Sequence, residues 1–182
     1  MASLFHFIFE LIKISILGWI YSTILYFIFK EIPAKKKPEW CKKIFKTKKS
    51  IWIFTCLLLL FYMFTPYGNH GLGDSARIPI SFSKAVSNVD WTEESTIDDV
   101  ETKDRSNLQA KEFKIIDEIV CGKYNNFHFI YNSDKDKLEE FYTENEYNEN
   151  AKLLDLPLSD ELLSFKENYD EYWHNWRLFL LP

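Results

Sequence analysis

The stretch YGNHGLGDSARIPI, residues 67 to 80, marks the boundary between two halves of the chain that differ in composition. It directly follows an apolar run, and it contains three glycines together with Asn69, His70, Asp74 and Ser75. Glycine allows backbone conformations that other residues avoid, and Asn and Asp favour turns. We therefore interpret the stretch as the place where the chain leaves an apolar anchor and enters a separate domain.

The two halves also differ in charge. Residues 1–65 carry ten lysines against three glutamates, a net charge of +7, whereas residues 66–182 carry 12 basic and 24 acidic side chains, a net charge of −12. Such asymmetry indicates that the halves face different surroundings. We predict a membrane anchor over residues 1–65 and an acidic domain over residues 66–182.

The first half contains two apolar segments, which predict transmembrane spans over about residues 4–29 and 50–66. The first segment has about 26 residues, enough to cross a hydrocarbon core of about 30 Å as a helix. The uncharged part of the second segment, residues 51–64, would rise only about 21 Å, so flanking residues must complete the span. The alternative is a single span followed by a buried or interfacial helix.

The loop between the two segments, residues 30–49, carries nine lysines. Short loops rich in lysine and arginine stay in the cytoplasm. This places both termini outside, so that residues 66–182 are extracytoplasmic. We predict a multi-pass protein of the cytoplasmic (inner) membrane with its domain outside, which in a Gram-negative cell is the periplasm.

Three polar residues interrupt the first apolar segment. His6, Glu10 and Lys13 have helical spacing and share one face of the predicted helix. They form either a polar stripe that binds a partner helix or an ion, or a local charge pair at the membrane interface.

The acidic half predicts an α+β domain, a hairpin or sheet with two or three helices, on the two-helix transmembrane anchor. Strands are expected at RIPISF (77–82) and in a hairpin of residues 112–120 and 127–132 joined by CGKYNN. In the second hairpin strand, Phe127, Phe129 and Tyr131 share one face. The polar, acid-rich residues 85–110 predict a long loop or weakly ordered insertion.

The rest of the chain predicts further helices and a closing strand. A helix is expected over residues 134–150, because Ser133 or Asp134 can cap it and acids fill its first turns. A shorter helix is expected from Ser159. The aromatic tail NYDEYWHNWRLFLLP is expected to pack as a final strand or ordered segment.

The tetrapeptide GDSA, residues 73–76, resembles the nucleophile block of GDSL-type (SGNH) hydrolases. That resemblance implies Ser75 as nucleophile with Asp170 and His174 as partners, and His70 is the other histidine available to such a site. The Asp-to-His spacing is four rather than three, and the block follows an apolar segment instead of a buried strand. We therefore predict that the chain is not an enzyme, with a hydrolase as the alternative.

No metal or cofactor site is predicted. The histidines, His6, His70, His128 and His174, have no metal-ligand spacing, although the last three can still meet in space. The three cysteines lie in separate segments and predict no disulfide framework. Nucleic-acid binding is not expected, because the only basic patch is the loop of the anchor.

We predict instead that the chain binds the lipid bilayer and a protein partner whose identity the sequence does not reveal. Aromatic and arginine side chains at the C-terminus suit an interface, although they suit a core equally well. The candidate binding residues are Asn69, His70, Asp74, Arg77, Trp173, Trp176 and Arg177.

The stretches GNHGLGDSARIP (68–79), FHFIYN (127–132) and YWHNWRLFLLP (172–182) make the chain similar to small two-helix membrane proteins of Bacteroidota. The resemblance spans both halves and implies the architecture, and it carries no known activity. Together these features predict a membrane-anchored interaction protein whose acidic domain meets its partner outside the cytoplasm. An immunity protein that intercepts a toxin and an accessory subunit of an envelope complex are two forms of this hypothesis.

Overall fold

The computed structural model describes residues 2–32, 39, 47–71, 74–102, 107–174 and 176–182. Within these ranges the chain has a long apolar helix followed by two antiparallel sheets and further helices, so the predicted α+β class is confirmed. Most of the predicted cytoplasmic loop, including Cys41, lies outside the described residues.

The N-terminal half is a pair of packed helices, α1 (Ala2–Glu31) and α2 (Lys48–Met63). Among the described residues, α1 is the one helix long and apolar enough to cross a membrane, over Leu4–Glu31. The 16 residues of α2 rise about 24 Å. Apolar side chains between the helices form their contact: Ile14, Leu17, Leu59 and Met63.

The two helices approach closely at Gly18, where an added Cβ would collide with Sγ of Cys56. The Trp52 indole NH also donates to the Ser15 carbonyl at 3.2 Å. Lys48 Nζ, at the start of α2, lies 5.5 Å from the centre of the Trp19 ring. Since Trp19 is in the middle of α1, the two helices are offset and α1 continues well beyond the start of α2.

The first sheet is a four-stranded meander of β1 (Ser75–Pro79), β2 (Ala85–Val89), β3 (Ser95–Glu101) and β4 (Asn107–Ala110), in that spatial order. β1 is an edge strand, as Pro79 predicts.

The predicted polar loop over residues 85–110 is therefore wrong, because β2, β3 and β4 occupy most of it. Each of these strands contributes an apolar side chain to the core: Val86, Ile97 and Leu108 are fully buried. The polar residues of these strands are mostly exposed or half-buried, although Asn88 and Ser95 are buried. Only about every second residue of such a strand is apolar, so its average composition resembles that of a loop.

The second sheet contains β5 (Glu112–Ile116), β6 (Ile119–Tyr124), β7 (Phe127–Asn132), β8 (Lys137–Phe141) and β9 (Leu163–Ser164), in the order β8-β7-β6-β5-β9. The predicted strand over residues 112–120 is in fact two strands. Asp117 and Glu118 have φ values of 45° and 67° and make the tight turn between β5 and β6. The expected connector CGKYNN lies mostly in β6, and Asn125 (φ 48°) begins the next turn.

Two predicted helices are also corrected. Residues 137–141 pair with β7 as strand β8, and α3 (Glu144–Leu153) begins later, because the Thr143 hydroxyl accepts from the Glu146 amide at 3.3 Å. Ser159–Glu161 is one 3-10 turn, and the next α-helix is α4 (Phe165–Trp173). Ser164 and Glu167 cap α4 reciprocally. The tail continues as helix α5 (Trp176–Leu180) rather than as a strand.

Both faces of the second sheet are covered, so the domain has two cores. Phe129 and Tyr131 point into the larger core, which the two sheets share with Phe165 of α4. Ile130 points into the smaller core, against Tyr147 and Ala151 of α3. The predicted division of FHFIYN into two faces is therefore confirmed.

Candidate functional site

A cleft lies where the first turns of α1 meet the loop after α2 and the helices α4 and α5. Its volume is about 200 Å³. Three groups of residues line it: His6, Glu10 and Lys13 from α1, His70 from the loop, and Tyr169, Trp173, His174, Arg177 and Pro182 from the C-terminal part. Residues far apart in sequence therefore converge at the junction between the helical pair and the sheet domain.

The loop that carries His70 is held by its own backbone. Gly71 has φ of +99°, and a Cβ at this position would collide with the Ser75 carbonyl. The Asn69 side-chain oxygen accepts from the Gly71 amide at 3.2 Å, and the Arg77 amide donates to the His70 carbonyl at 3.1 Å. These contacts direct the His70 ring toward α1. Predicted binding residues Asn69 and His70 thus lie at the junction.

His70 meets the polar stripe of α1. Its Nε2 lies 3.4 Å from Glu10 Oε1, and His6 Nε2 lies 3.7 Å from the same oxygen. Lys13 Nζ is 3.9 Å from the second oxygen, Oε2. The ligand atoms of His6, Glu10 and His70 all lie within 4.8 Å of one another, so these three residues form a possible metal-ligand set.

The aromatic side of the cleft is fixed by hydrogen bonds to the backbone. The Trp173 indole NH donates to the Arg77 carbonyl at 2.7 Å, and the Tyr169 hydroxyl donates to the His70 carbonyl at 3.4 Å. Burial raises the pKa of Tyr169 to about 12, so its hydroxyl stays a neutral donor well into the alkaline range. The Trp173 ring also contacts His70 edge-on, at 5.6 Å between ring centres. Helix α4 is thereby attached to both β1 and the loop.

The C-terminal segment lies along the helical pair. The Tyr21 hydroxyl on α1 donates to the Leu180 carbonyl. The Arg177 guanidinium lies 4.0 Å from the Tyr172 ring centre and donates to the Tyr172 carbonyl at 2.9 Å. Predicted binding residues Trp173 and Arg177 therefore line the cleft, whereas Trp176 is 58% exposed.

Two other predicted binding residues point elsewhere. The Arg77 guanidinium pairs with Asp98 on β3, rather than with Asp74 as their closeness in sequence suggests. Ser87 also donates to Asp98, at 3.0 Å. Asp74 is exposed, and its carbonyl accepts from the Asp90 amide at 2.8 Å. Both residues hold strands together rather than line the cleft.

The residues of the hydrolase alternative occupy two elements. Ser75 starts β1 and is paired with Val89 in the sheet. Asp170 lies on α4 and His174 directly follows that helix, with His174 Nδ1 2.5 Å from Asp170 Oδ1. Lys166 donates to the other Asp170 oxygen at 2.8 Å, and this bond, with a smaller effect of His174, lowers the pKa of Asp170. The triad stays a prediction.

The expectation that His70, His128 and His174 can meet is wrong for His128. That residue lies on the α3 side of the second sheet, stacked on Tyr147 with ring centres 5.0 Å apart. His6 joins His70 instead. The helical spacing of His6 and Glu10 was a usable sequence signal, but their partner lies 60 residues beyond Glu10.

No family model matches the chain, and neither the curated proteins nor the solved structures contain a significant match to it. The predicted similarity to Bacteroidota membrane proteins therefore remains a prediction, and function is inferred from the site itself.

Proposed function

We propose that this chain is a membrane-anchored interaction protein, which holds its acidic domain at a fixed position on the bilayer for a basic protein partner. The membrane part of the proposal rests on apolar surface that α1 and α2 expose. Their exposed side chains include Phe5, Phe9, Phe27, Leu57 and Phe61. Contiguous apolar surface on this scale is costly in water, and lipid chains would cover it.

We further infer that both helices enter the membrane and that the domain is extracytoplasmic. The Lys-rich segment 30–49 leads into the start of α2, and the sheet domain follows its end. The two therefore lie on opposite sides of the membrane if α2 crosses it. Positively charged loops are retained in the cytoplasm. The domain then belongs on the outer face of the cytoplasmic membrane, in the periplasm of a Gram-negative cell.

The observation that carries the binding proposal is the turn between β2 and β3. Trp91 has φ of 55°, a conformation that bulky residues adopt rarely and at a cost in free energy. The residue is 52% exposed, although its ring contacts Phe165 and Tyr169 edge-on, at 6.1 and 5.1 Å between ring centres. A strained turn that keeps a tryptophan partly in solvent favours a binding role, because tryptophan is a frequent hot-spot residue.

The surroundings of Trp91 indicate what kind of partner would bind. Val89 beside it is exposed, and the acids Asp90, Glu93 and Glu94 of the same turn are exposed as well. An apolar centre with an acidic rim is complementary to a basic surface that contains an apolar pocket. The net charge of −12 over residues 66–182 would accelerate encounter with such a partner.

A photo-crosslinking amino acid at position 91 of the full chain, in native membranes, tests this surface. The matched control carries the same amino acid at Tyr142, which is 68% exposed and directly follows β8 of the second sheet. We expect a stoichiometric adduct at position 91 only, and its yield should fall with added salt and in a Glu93→Lys/Glu94→Lys variant. Equal adducts at both positions, or an adduct insensitive to charge, would contradict the proposal.

Topology is tested separately by thiol labelling of intact and lysed cells. Burial raises the pKa of Cys121 to about 11, which makes this thiol a poor reporter. A Tyr142→Cys variant supplies an exposed thiol on the domain, and Cys41 reports the Lys-rich loop. We expect a membrane-impermeant maleimide to label position 142 in intact cells and Cys41 only after lysis. The reverse pattern would place the domain in the cytoplasm.

The second candidate function is a membrane-anchored hydrolase, and the hydrogen-bonded Asp170–His174 pair is the observation in its favour. In that function His174 would take the proton of the Ser75 hydroxyl, and Asp170 would orient the imidazole ring. A fluorophosphonate probe should then label the wild-type chain but not a Ser75→Ala variant. Absence of labelling in folded wild-type protein would eliminate the serine hydrolase.

A further inference from the structure

We propose that His6, Glu10 and His70 bind a divalent transition-metal ion of the zinc class, at the junction between α1 and the loop after α2. This site is independent of the partner surface around Trp91. It joins a carboxylate and an imidazole that are one helical turn apart on α1 to a second imidazole from a distant part of the chain.

The geometry of the three side chains fits a tetrahedral ion. Zinc lies about 2.0–2.1 Å from imidazole nitrogen and carboxylate oxygen, so neighbouring tetrahedral ligand atoms are separated by roughly 3.3 Å. Glu10 Oε1 lies 3.4 Å from His70 Nε2 and 3.7 Å from His6 Nε2. Small rotations of the side chains would complete the coordination without movement of the backbone.

The Glu10 carboxylate is the second observation that points to a cation. The residue is only 7% exposed, and within the described part of the chain its Oε2 atom is buried without a hydrogen-bond partner. The ammonium group of Lys13 lies 3.9 Å from this atom, beyond hydrogen-bond distance. Buried carboxylates are costly unless they are paired or coordinate a metal.

The cleft leaves room for the fourth ligand. Three protein ligands with one open position are typical of zinc sites that hold a water molecule. The cavity of about 200 Å³ lies next to all three side chains and can hold that water. Two imidazoles and one carboxylate favour zinc and its neighbours over Mg²⁺ or Ca²⁺, which prefer oxygen ligands.

The competing explanation is an ion-pair cluster without metal, in which protonated histidine and Lys13 neutralise Glu10. The two explanations differ in what Zn²⁺ does to the protein. A metal site joins α1 to the loop only when the ion is present, so the ion should raise the thermal stability of the full chain. An ion-pair cluster should give no saturable response to the ion.

The test uses the full chain in nanodiscs, purified with a tag that contains no histidine and stripped with a chelator. Titration with Zn²⁺ by calorimetry should give one equivalent bound, and Co²⁺ should give visible absorption of a tetrahedral nitrogen–oxygen site. Glu10→Gln and His70→Ala should each weaken Zn²⁺ binding by at least about 100-fold, more than the loss of an outer-shell partner.

Matched variants keep the test decisive. His174→Ala removes an imidazole from the same cavity but leaves the three ligands, so it should bind Zn²⁺ like the wild type. His6→Ala removes one ligand near the start of α1 and leaves His70 beside the buried Glu10 carboxylate. It therefore tests the site if His70→Ala fails to fold. Wild-type affinity in the His6→Ala and Glu10→Gln variants, or no saturable binding by the wild type, would overturn the proposal.

Discussion

His70 and His128 are both largely withdrawn from solvent, yet they belong to regions of opposite character. His70 faces a buried carboxylate across a cleft and is approached by side chains of α1 and α4. His128 is stacked on Tyr147 inside the smaller core, 8% exposed. Desolvation, and then the charge of Lys123, lower the pKa of His128, while the charges of Glu144 and Glu112 oppose this. The comparison teaches that a buried histidine indicates a binding site only where it and other polar side chains line a cavity.

The largest expected effect on stability comes from a substitution in the His128 region. Tyr147→Ala removes a fully buried ring from the smaller core, together with the hydrogen bond of its hydroxyl to the Pro157 carbonyl at 2.7 Å. We expect the free energy of unfolding to fall by about 3–5 kcal/mol, because truncation of a buried aromatic leaves a cavity. Chemical denaturation of the full chain in detergent measures it. The exposed Tyr142→Ala should change stability by less than about 0.5 kcal/mol, and equal losses would contradict the prediction.

The next largest effect on stability is expected from a substitution in the His70 region. Trp173→Phe keeps an aromatic ring beside His70 but removes the donor to the Arg77 carbonyl. Because a half-buried carbonyl loses its donor, we expect a loss of about 1 kcal/mol in the free energy of unfolding. Trp176→Phe is the matched control on the exposed neighbouring helix, and it should be nearly neutral. A loss in the control as large as in Trp173→Phe would show that packing, not this hydrogen bond, holds α4.

The pH dependence separates the two histidines further. Since the pKa of His128 is lower in the folded chain than its ordinary 6.5, the unfolded state binds more protons just below that pH. The His128 contribution to stability is therefore present above about pH 6.5 and is lost as the pH falls through the folded pKa.

Denaturation of His128→Phe between pH 7.5 and pH 5 tests this sign. Phenylalanine keeps the stack on Tyr147 and does not titrate, so the variant should lose less stability than the wild type on acidification. An acid slope identical in the two proteins would show that His128 does not contribute to it.

The smallest effect concerns the surface beside the cleft. Asp170→Asn should change the free energy of unfolding by less than about 0.5 kcal/mol, because exposed ion pairs along a helix are screened by water and salt. Thermal unfolding at low and high salt measures it. A salt-insensitive fall of several degrees in the melting temperature would contradict this prediction and would indicate a specific role for the Asp170–His174 pair.

Local patterns in the sequence were sufficient for some elements. The alternation in FHFIYN predicted the faces of β7, and Pro79 predicted an edge strand. The residues of β8, KLEEF, suit a helix by intrinsic preference, and only pairing with β7 makes them a strand. The strands within residues 85–110 were missed because few of their side chains are apolar, although those few occupy the core.

The cleft was only partly predictable. His70, Trp173 and Arg177 were candidates because of their residue types, and they do line it. The convergence with His6 and Glu10 depends on how the sheet domain packs on α1. That packing joins residues separated by 60 or more positions, and no local spacing encodes it.

The unequal lengths of α1 and α2 bear on how the chain would reach a bilayer. In the proposed topology α1 is synthesised first and is long enough to be recognised by the insertion machinery alone, whereas α2 rises only about 24 Å. The insertion of α2 into the bilayer would then depend on α1 being already in place. The close contact at Gly18 would be where α2 packs against α1. A larger residue at this position would reduce the yield of inserted protein before any partner is met.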